Sequence, residues 1–193
     1  MRKTLLLLSH LGAGSSVLFD ALSQNPRIEG YRTGQIYDHP EKLTSLTTNI
    51  HKRDNSSAIY MDELLFNKDI SCKLICAYSK FVFLIREPGS SLAEIKRLHP
   101  EYTSETAKRY YCYRLRGIYE YVCRVPTAIV LTWDDIKSGN FSELETYLSL
   151  KEPISIKEMI EPHDSVYSTE CLDCYERYLD HIKRYQSSFC SRS

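Results

Sequence analysis

The chain has 193 residues, a length that suits one domain with its own hydrophobic core and leaves little room for two. Its 25 Lys and Arg residues balance its 25 Asp and Glu residues, so no overall positive field attracts nucleic acid or an anionic membrane. With 42% hydrophobic and 26% charged residues, the composition excludes a disordered chain. We therefore expect a single domain over residues 1–193 that binds no nucleic acid.

Membrane insertion and secretion are both disfavoured. Apolar runs such as Leu5 to Leu8 and Phe81 to Ile85 are far shorter than the roughly 18 residues that span a bilayer, and a signal peptide needs a longer apolar stretch. Seven scattered cysteines, an odd number, suit a reducing compartment and predict a cytoplasmic protein. Cys171 and Cys174 form one CxxC pair, which we interpret as two cysteines on adjacent turns of a helix rather than as a metal site.

Buried strands and helices alternate along the chain. A continuous apolar run from Thr4 to Ser9 predicts a buried strand, followed by a glycine loop over 10–16 and a helix from Val17 to Ser23. The other predicted elements are a short strand at 28–31, weak helical or irregular segments at 39–49 and 62–77, a strand at 81–85, helices at 90–98 and 104–123, a strand at 127–132, and helices at 141–150 and 168–188. This order predicts an α/β three-layer sandwich with a central, mainly parallel sheet.

The glycine loop after the first strand is the first candidate site. In an open α/β sheet, ligands bind at the carboxyl ends of strands, where a glycine loop that opens a helix offers backbone N–H groups and the positive helix end to an anion. Gly12 and Gly14 permit close approach, and Ser15 and Ser16 can add hydroxyl donors to a phosphate. The alternative is a simple strand-to-helix turn in which Ser15 or Ser16 only caps the helix.

Two common nucleotide-binding patterns are absent from this loop. The ATP-binding form, GxxxxGKS or GxxxxGKT, places a lysine at the terminal phosphates, and the loop contains no lysine. The dinucleotide pattern GxGxxG also fails, because Val17 stands at the place of the third glycine. A kinase or NTPase is therefore disfavoured.

Two segments resemble the PAPS-dependent sulfotransferases, a family related in fold to the P-loop nucleotide kinases. LLLLSHLGAGSSVLFDALSQNP (5–26) resembles the family's first strand, 5′-phosphosulfate loop and following helix, and KFVFLIREPGSSLAEI (80–95) is similar to its 3′-phosphate-binding strand, turn and helix. Weaker similarities follow in the family's order at 127–136 and 141–150. The resemblance implies a P-loop-like sulfotransferase architecture, PAPS as cofactor with PAP as product, and sulfuryl transfer to a hydroxyl or amine of a small-molecule, glycan or protein acceptor.

The resemblance also implies which residues bind and react. The cofactor-binding positions are Gly12, Ala13, Gly14, Ser15, Ser16, Arg86, Ser90, Ser91 and Glu94. Arg86 would hold the 3′-phosphate with its planar fork of donors, unless it is a surface arginine paired with Glu87. Asp62 and Glu63 are the candidates for the catalytic base, unless they are a capping pair at a helix start, and His10 is a third catalytic candidate.

Three departures from the family pattern leave activity open. The basic residue at the head of the family's loop falls on Gly12, so His10 or Arg32 would have to supply a donor or charge from another direction. The family's serine eight residues beyond the arginine falls on Glu94, whose carboxylate would repel a phosphate unless a cation intervened; Ser90 or Ser91 could substitute for that serine. The chain is also short for the family, which reduces the acceptor-binding insertions. A noncatalytic nucleotide- or anion-binding module is therefore the alternative.

Overall fold

A computed structural model describes residues 3–31, 59–65, 79–125, 127–156 and 166–190 of the chain. Within these residues, five strands, all paired in parallel, form one sheet in the order β2-β3-β1-β4-β5. They are β1 (Lys3–Ser9), β2 (Ile28–Tyr31), β3 (Ile59–Leu65), β4 (Ser79–Ile85) and β5 (Ile129–Thr132). The helices are α1 (Ser15–Ser23), α2 (Pro88–Leu98), α3 (Ser104–Val122), α4 (Trp133–Ser138), α5 (Ser142–Leu148) and α6 (Thr169–Cys190).

Helices cover both faces of the sheet. Side chains alternate across a strand, so Leu6 and Leu8 of β1 pack in a core with residues of α2, α3 and α6. Leu5 and Leu7 pack in a second core with residues of α1, α4 and α5. The result is the three-layer α/β sandwich with a parallel sheet that the alternation of strands and helices predicts.

The strand order determines where a ligand site can lie. β1 stands between β3 and β4, with Ser9 in register with Leu84, so the loops that follow β1 and β4 leave the sheet side by side. The chain runs from β1 towards β2 and β3 on one side and from β4 towards β5 on the other. Such a switch point opens a crevice at the carboxyl edge of a parallel sheet.

Most predicted elements are confirmed within a few residues at their ends, and one is wrong. Residues 59–65 form a strand, although residues 62–77 were expected to be helical or irregular. Asp62 and Glu63 have low strand propensity, but β3 pairs with β1 along its whole length, and this pairing outweighs the low propensity of the two residues. The expected segment 39–49 and residues 66–77 lie outside the described residues. Among the helices described, none is both long enough and apolar enough to cross a membrane.

Candidate functional site

The loop after β1 presents the start of α1 to the carboxyl edge of the sheet. Gly12 and Gly14 adopt left-handed conformations, with φ of 79° and 86°. Gly14 is the N-cap of α1, so no cap side chain satisfies the first N–H groups, and the first turn of the helix contains no acidic residue. Backbone donors and the positive end of the helix dipole therefore meet at this loop, an arrangement that favours an anion.

The loop after β4 contains a carboxylate that caps the helix that follows it, α2. Glu87 precedes α2 and accepts hydrogen bonds from the backbone N–H groups of Gly89 and Ser90, the latter at 3.0 Å. This carboxylate occupies the start of α2, so α1 and not α2 has a helix start suited to an added anion. Arg86 is only 3% exposed, which shows that interpreting it as a surface arginine is wrong.

The two loops touch each other at Gly12. A Cβ built on Gly12 would lie 2.8 Å from the carbonyl oxygen of Ser91 and 3.3 Å from Cβ of Glu94. The glycine loop therefore rests on the first turns of α2. A lysine at position 12 would have to adopt a left-handed conformation against the backbone of α2, so this packing explains why the loop head carries no basic side chain.

His10 joins the loops through hydrogen bonds. The backbone N–H of Arg86 donates to His10 Nε2 at 3.1 Å, and His10 Nδ1 lies 2.8 Å from the carbonyl oxygen of Leu11. Because Nε2 accepts, neutral His10 carries its proton on Nδ1 and donates it to Leu11. From α3, the hydroxyl of Tyr111 donates to the carbonyl oxygen of Arg86 at 2.6 Å. One histidine and one tyrosine thus fix the peptide of Arg86 relative to the glycine loop.

His10 is neutral in this environment. Burial, together with the positive charges of Arg114 and Arg86, lowers the pKa of its imidazole to about 4. The edge of the Tyr111 ring packs against it, with ring centroids 5.1 Å apart. His10 therefore does not replace the cation that the family pattern places at Gly12, and both of its nitrogens are engaged with the backbone. The expectation that His10 supplies positive charge is wrong, because burial keeps its imidazole neutral.

Positive charge reaches the site from two buried arginines. Arg86 is at the carboxyl end of β4, and Arg114 lies on α3, where it is 8% exposed and its guanidinium lies 5.2 Å from the ring centroid of Tyr110. Both charges act on His10, which lies between the two elements that carry them. The cationic character of this edge of the sheet thus comes from β4 and α3, not from the head of the loop.

Trp133 connects Arg86 to the glycine loop. The Arg86 guanidinium lies 4.1 Å from the centroid of the Trp133 ring. A Cβ built on Gly14 would overlap the same ring, lying 2.8 Å from its Cε3 atom. The indole therefore contacts both anion-binding candidates. Its Nε1 is buried and makes no hydrogen bond among the described residues, and the same is true of the Ser91 hydroxyl oxygen.

The other predicted site residues have different surroundings. Glu94 makes a bidentate ion pair with Arg97 of the same helix at 2.6 and 2.8 Å, which lowers the pKa of its carboxyl group. Asp62 and Glu63 lie within β3, with Glu63 in register with Leu7, so a helix-capping role for them is wrong. Arg32 lies outside the described residues.

Two residues of this site, Arg114 and Trp133, carry signals that were not recognised in the sequence. Arg114 stands on the stripe of α3 that also buries Tyr111 and Ile118, where a charged side chain is unusual. Trp133 is the only tryptophan and directly follows a buried strand at the carboxyl edge. Both patterns, a charged residue on an apolar stripe and an aromatic residue at a strand end, can be recognised in the sequence. That the two residues lie near the same site depends on the order of the strands, which the sequence does not reveal.

Comparisons with known proteins extend this description at the level of the fold. No family model matches the chain, and no curated protein matches it. Among solved structures, the sulfotransferase domain of the Synechococcus PCC 7002 olefin synthase matches with a TM-score of 0.57 and 11% identity, over 98% of this chain and 95% of that one. The chain has the sulfotransferase fold.

A second structure of this fold is the mouse sulfotransferase SULT7A1 complexed with PAP. It matches with a TM-score of 0.55 and 10% identity, and the match covers 91% of this chain. The same match covers 64% of the mouse chain, so this chain spans less than two thirds of that protein. These matches confirm the fold class expected from the two resembling segments. At 10% and 11% identity, these matches show the fold and do not assign roles to residues of this chain.

Proposed function

We propose that this protein binds PAPS or its product PAP across the loops that follow β1 and β4. The observation that carries the proposal is their convergence: Gly12 lies against Ser91, and the amide of Arg86 donates to His10. A ligand with phosphate groups at two ends needs two anion sites held at a fixed separation. A match to a PAP-bound sulfotransferase supports the same ligand class.

The residues present fit such a ligand. In the proposed complex, the start of α1, with the backbone and hydroxyl groups of Ser15 and Ser16, holds the 5′-phosphosulfate. Arg86 holds the 3′-phosphate through its guanidinium, and the buried hydroxyl of Ser91, which makes no hydrogen bond among the described residues, adds a donor. Gly12, Ala13 and Gly14 let the backbone approach closely.

The proposed reaction is sulfuryl transfer to a hydroxyl or amine of a small-molecule, glycan or protein acceptor in the cytoplasm. Bound PAPS supplies an activated sulfuryl group. The start of α1 would stabilise the charge that develops on the transferred group and the leaving 5′-phosphate, while Arg86 would hold the 3′-phosphate in place. Asp62 or Glu63 on β3 accepts the proton of the acceptor. His10 is not proposed as this base, because its Nε2 already accepts from Arg86.

Two observations favour a noncatalytic binding module as the second candidate. Gly12 lies against α2 where the family pattern has a cation, and Glu94 places a carboxylate on the helix beside it. A module of this kind would retain PAP without transferring sulfate. Incubation with labelled PAPS and a cell extract distinguishes the two: labelled acceptor supports the transferase, and bound label without labelled acceptor supports the module.

The ligand is tested by thermal melting with PAP, ATP and inorganic sulfate. PAP at a hundred times its dissociation constant is expected to stabilise the folded state by about 2.7 kcal/mol, with no comparable shift from ATP or sulfate. Arg86→Ala is expected to abolish the PAP shift and Arg86→Lys to reduce it, because the lysine keeps the charge but loses the planar fork. Arg109→Ala, at an exposed ion pair with Glu105, is the matched control and should keep the shift. Equal shifts with all three ligands, or an unchanged PAP shift in Arg86→Ala, contradict the proposal.

Replacing Glu94 by serine is expected to strengthen PAP binding. The change removes a carboxylate close enough to Arg86 for the arginine's charge to act on it, and it releases the Arg97 guanidinium from its bidentate pair. Both effects make this part of α2 more positive, so we expect several-fold tighter binding, with a larger gain at low salt. Isothermal titration with PAP measures it. Glu105→Ser, which breaks a comparable ion pair on α3, is the control; weaker or unchanged binding in Glu94→Ser would refute the electrostatic argument.

A further inference from the structure

The CxxC pair singled out in the sequence belongs to a cluster of three thiols that the proposed nucleotide site does not use. Cys171 and Cys174 lie on consecutive turns of α6, and Cys112 lies on α3, which packs against α6. The Sγ atoms of Cys112 and Cys171 are 3.8 Å apart, and Cys112 also donates a hydrogen bond to Cys174. One thiol of α3 is therefore in contact with both thiols of α6.

The three thiols differ in their surroundings. Cys174 has Arg177 one turn further along α6, and the hydrogen bond from Cys112 together with this guanidinium lowers the pKa of the Cys174 thiol to about 7. The pKa of Cys112 is raised well above its usual value by the same contact and by burial, so Cys112 keeps its proton. Cys171 and Cys174 are both buried, at 0% and 5% exposed, and Cys112 is half-buried. Cys174 is thus the nucleophilic sulfur of the cluster, and Cys112 is a neighbouring thiol that keeps its proton.

Metal binding is a poor explanation for this cluster. The described residues contain no group of three His, Cys, Asp or Glu side chains placed to hold a metal ion. A redox pair needs only two sulfurs that approach without moving the backbone far, and Cys112 contacts both thiols of α6: its sulfur lies 3.8 Å from that of Cys171, and it hydrogen-bonds to Cys174. The chemistry that fits the cluster is therefore oxidation.

We propose that Cys174 and Cys112 form a reversible oxidation site at which a hydroperoxide joins α3 to α6 through a disulfide. The Cys174 thiolate attacks the distal peroxide oxygen; the O–O bond breaks, the alkoxide or hydroxide leaves and takes a proton from solvent, and Cys174 becomes a sulfenic acid. The sulfur of Cys112 then attacks the Cys174 sulfur, its proton passes to the leaving hydroxide, and water departs. Two thiols are oxidised and one peroxide is reduced.

The linkage would also act on the edge of the sheet. Cys112 directly follows Tyr111, whose hydroxyl donates to the carbonyl oxygen of Arg86. A disulfide at Cys112 fixes this turn of α3 against α6 and so limits the movement of Tyr111. The oxidation site itself is argued from the thiols alone and does not depend on what binds at the glycine loop.

The experiment treats the full chain with hydrogen peroxide, unfolds it in guanidinium chloride, blocks the remaining thiols with N-ethylmaleimide and maps the peptides by mass spectrometry without reduction. We expect two of the seven thiols to be protected, a cross-linked peptide pair containing Cys112 and Cys174, and its loss on treatment with dithiothreitol. Cys112→Ser should leave Cys174 as a sulfenic acid that reacts with dimedone. Cys123→Ser, outside the cluster, should keep the cross-link.

Several results would overturn the proposal. They are a Cys171–Cys174 or Cys112–Cys171 disulfide in place of the expected one, no dimedone labelling of Cys174 in Cys112→Ser, or full alkylation of all seven thiols after peroxide. The peptide map of the unaltered protein decides between the disulfides even if a variant folds poorly. Cys112→Ala provides a second test of the resolving thiol without a polar replacement.

Discussion

Gly14→Ala is expected to cause a large loss of stability together with the loss of PAP binding. The residue has a φ of 86°, where a Cβ costs about 1 kcal/mol, and that Cβ would overlap the Trp133 ring. Overpacking of this kind costs about 1–3 kcal/mol more, because the indole is held between the loop and Arg86. Urea unfolding measures the first effect, and the melting shift with PAP measures the second.

Two other glycines separate the causes. Gly139 ends α4 with a φ of 67° and has open space around a built Cβ, so Gly139→Ala should show only the conformational cost of about 1 kcal/mol. Gly117 lies inside α3 with nothing near its Cβ, so Gly117→Ala should stabilise the helix by about 0.5–1 kcal/mol. Both should keep the PAP shift. If Gly14→Ala lowers the free energy of unfolding by no more than Gly139→Ala does, the Trp133 indole does not pack against the glycine loop.

The strands of the core were predictable because they are nearly pure apolar runs. Leu5 to Leu8 and Phe81 to Ile85 are buried on both faces, and such segments carry their own signal. β3 was not predictable in this way, since its acidic pair breaks the run and only its position between β2 and β1 makes it a strand. Propensity is local, whereas strand pairing depends on residues that are distant in sequence.

The site was predictable where backbone chemistry defines it and unpredictable where packing does. Gly12, Gly14 and Arg86 stand at strand ends, and their residue types point to an anion. The role of His10 could not be inferred, because its neutrality comes from complete burial and from a hydrogen bond to a residue 76 positions away. Trp133 likewise acquires its place only when β5 is added beside β4.

Acidification is expected to weaken the fold through His10. Its pKa in the folded protein is about 4, below the ordinary value of 6.5, so the unfolded chain binds a proton that the folded chain excludes. The free energy of unfolding therefore falls as the pH drops from about 6.5 towards 4, and this one group accounts for about 3 kcal/mol over that interval. Urea unfolding at a series of pH values should show the slope.

His10→Gln isolates this contribution, because glutamine can accept from the Arg86 amide but does not titrate. The variant should be less stable at pH 7, by about 1 kcal/mol for the hydrogen bond to Leu11 that it loses, yet its stability should depend less on pH between 6.5 and 4. His99→Gln, at an exposed histidine paired with Glu101, is the matched control and should keep the slope of the unaltered protein. Identical slopes in all three proteins would show that His10 is not the buried neutral group that joins the two loops. A shallower slope in His10→Gln alone would assign this part of the pH dependence to the His10 imidazole, whose protonation removes the acceptor for the Arg86 amide.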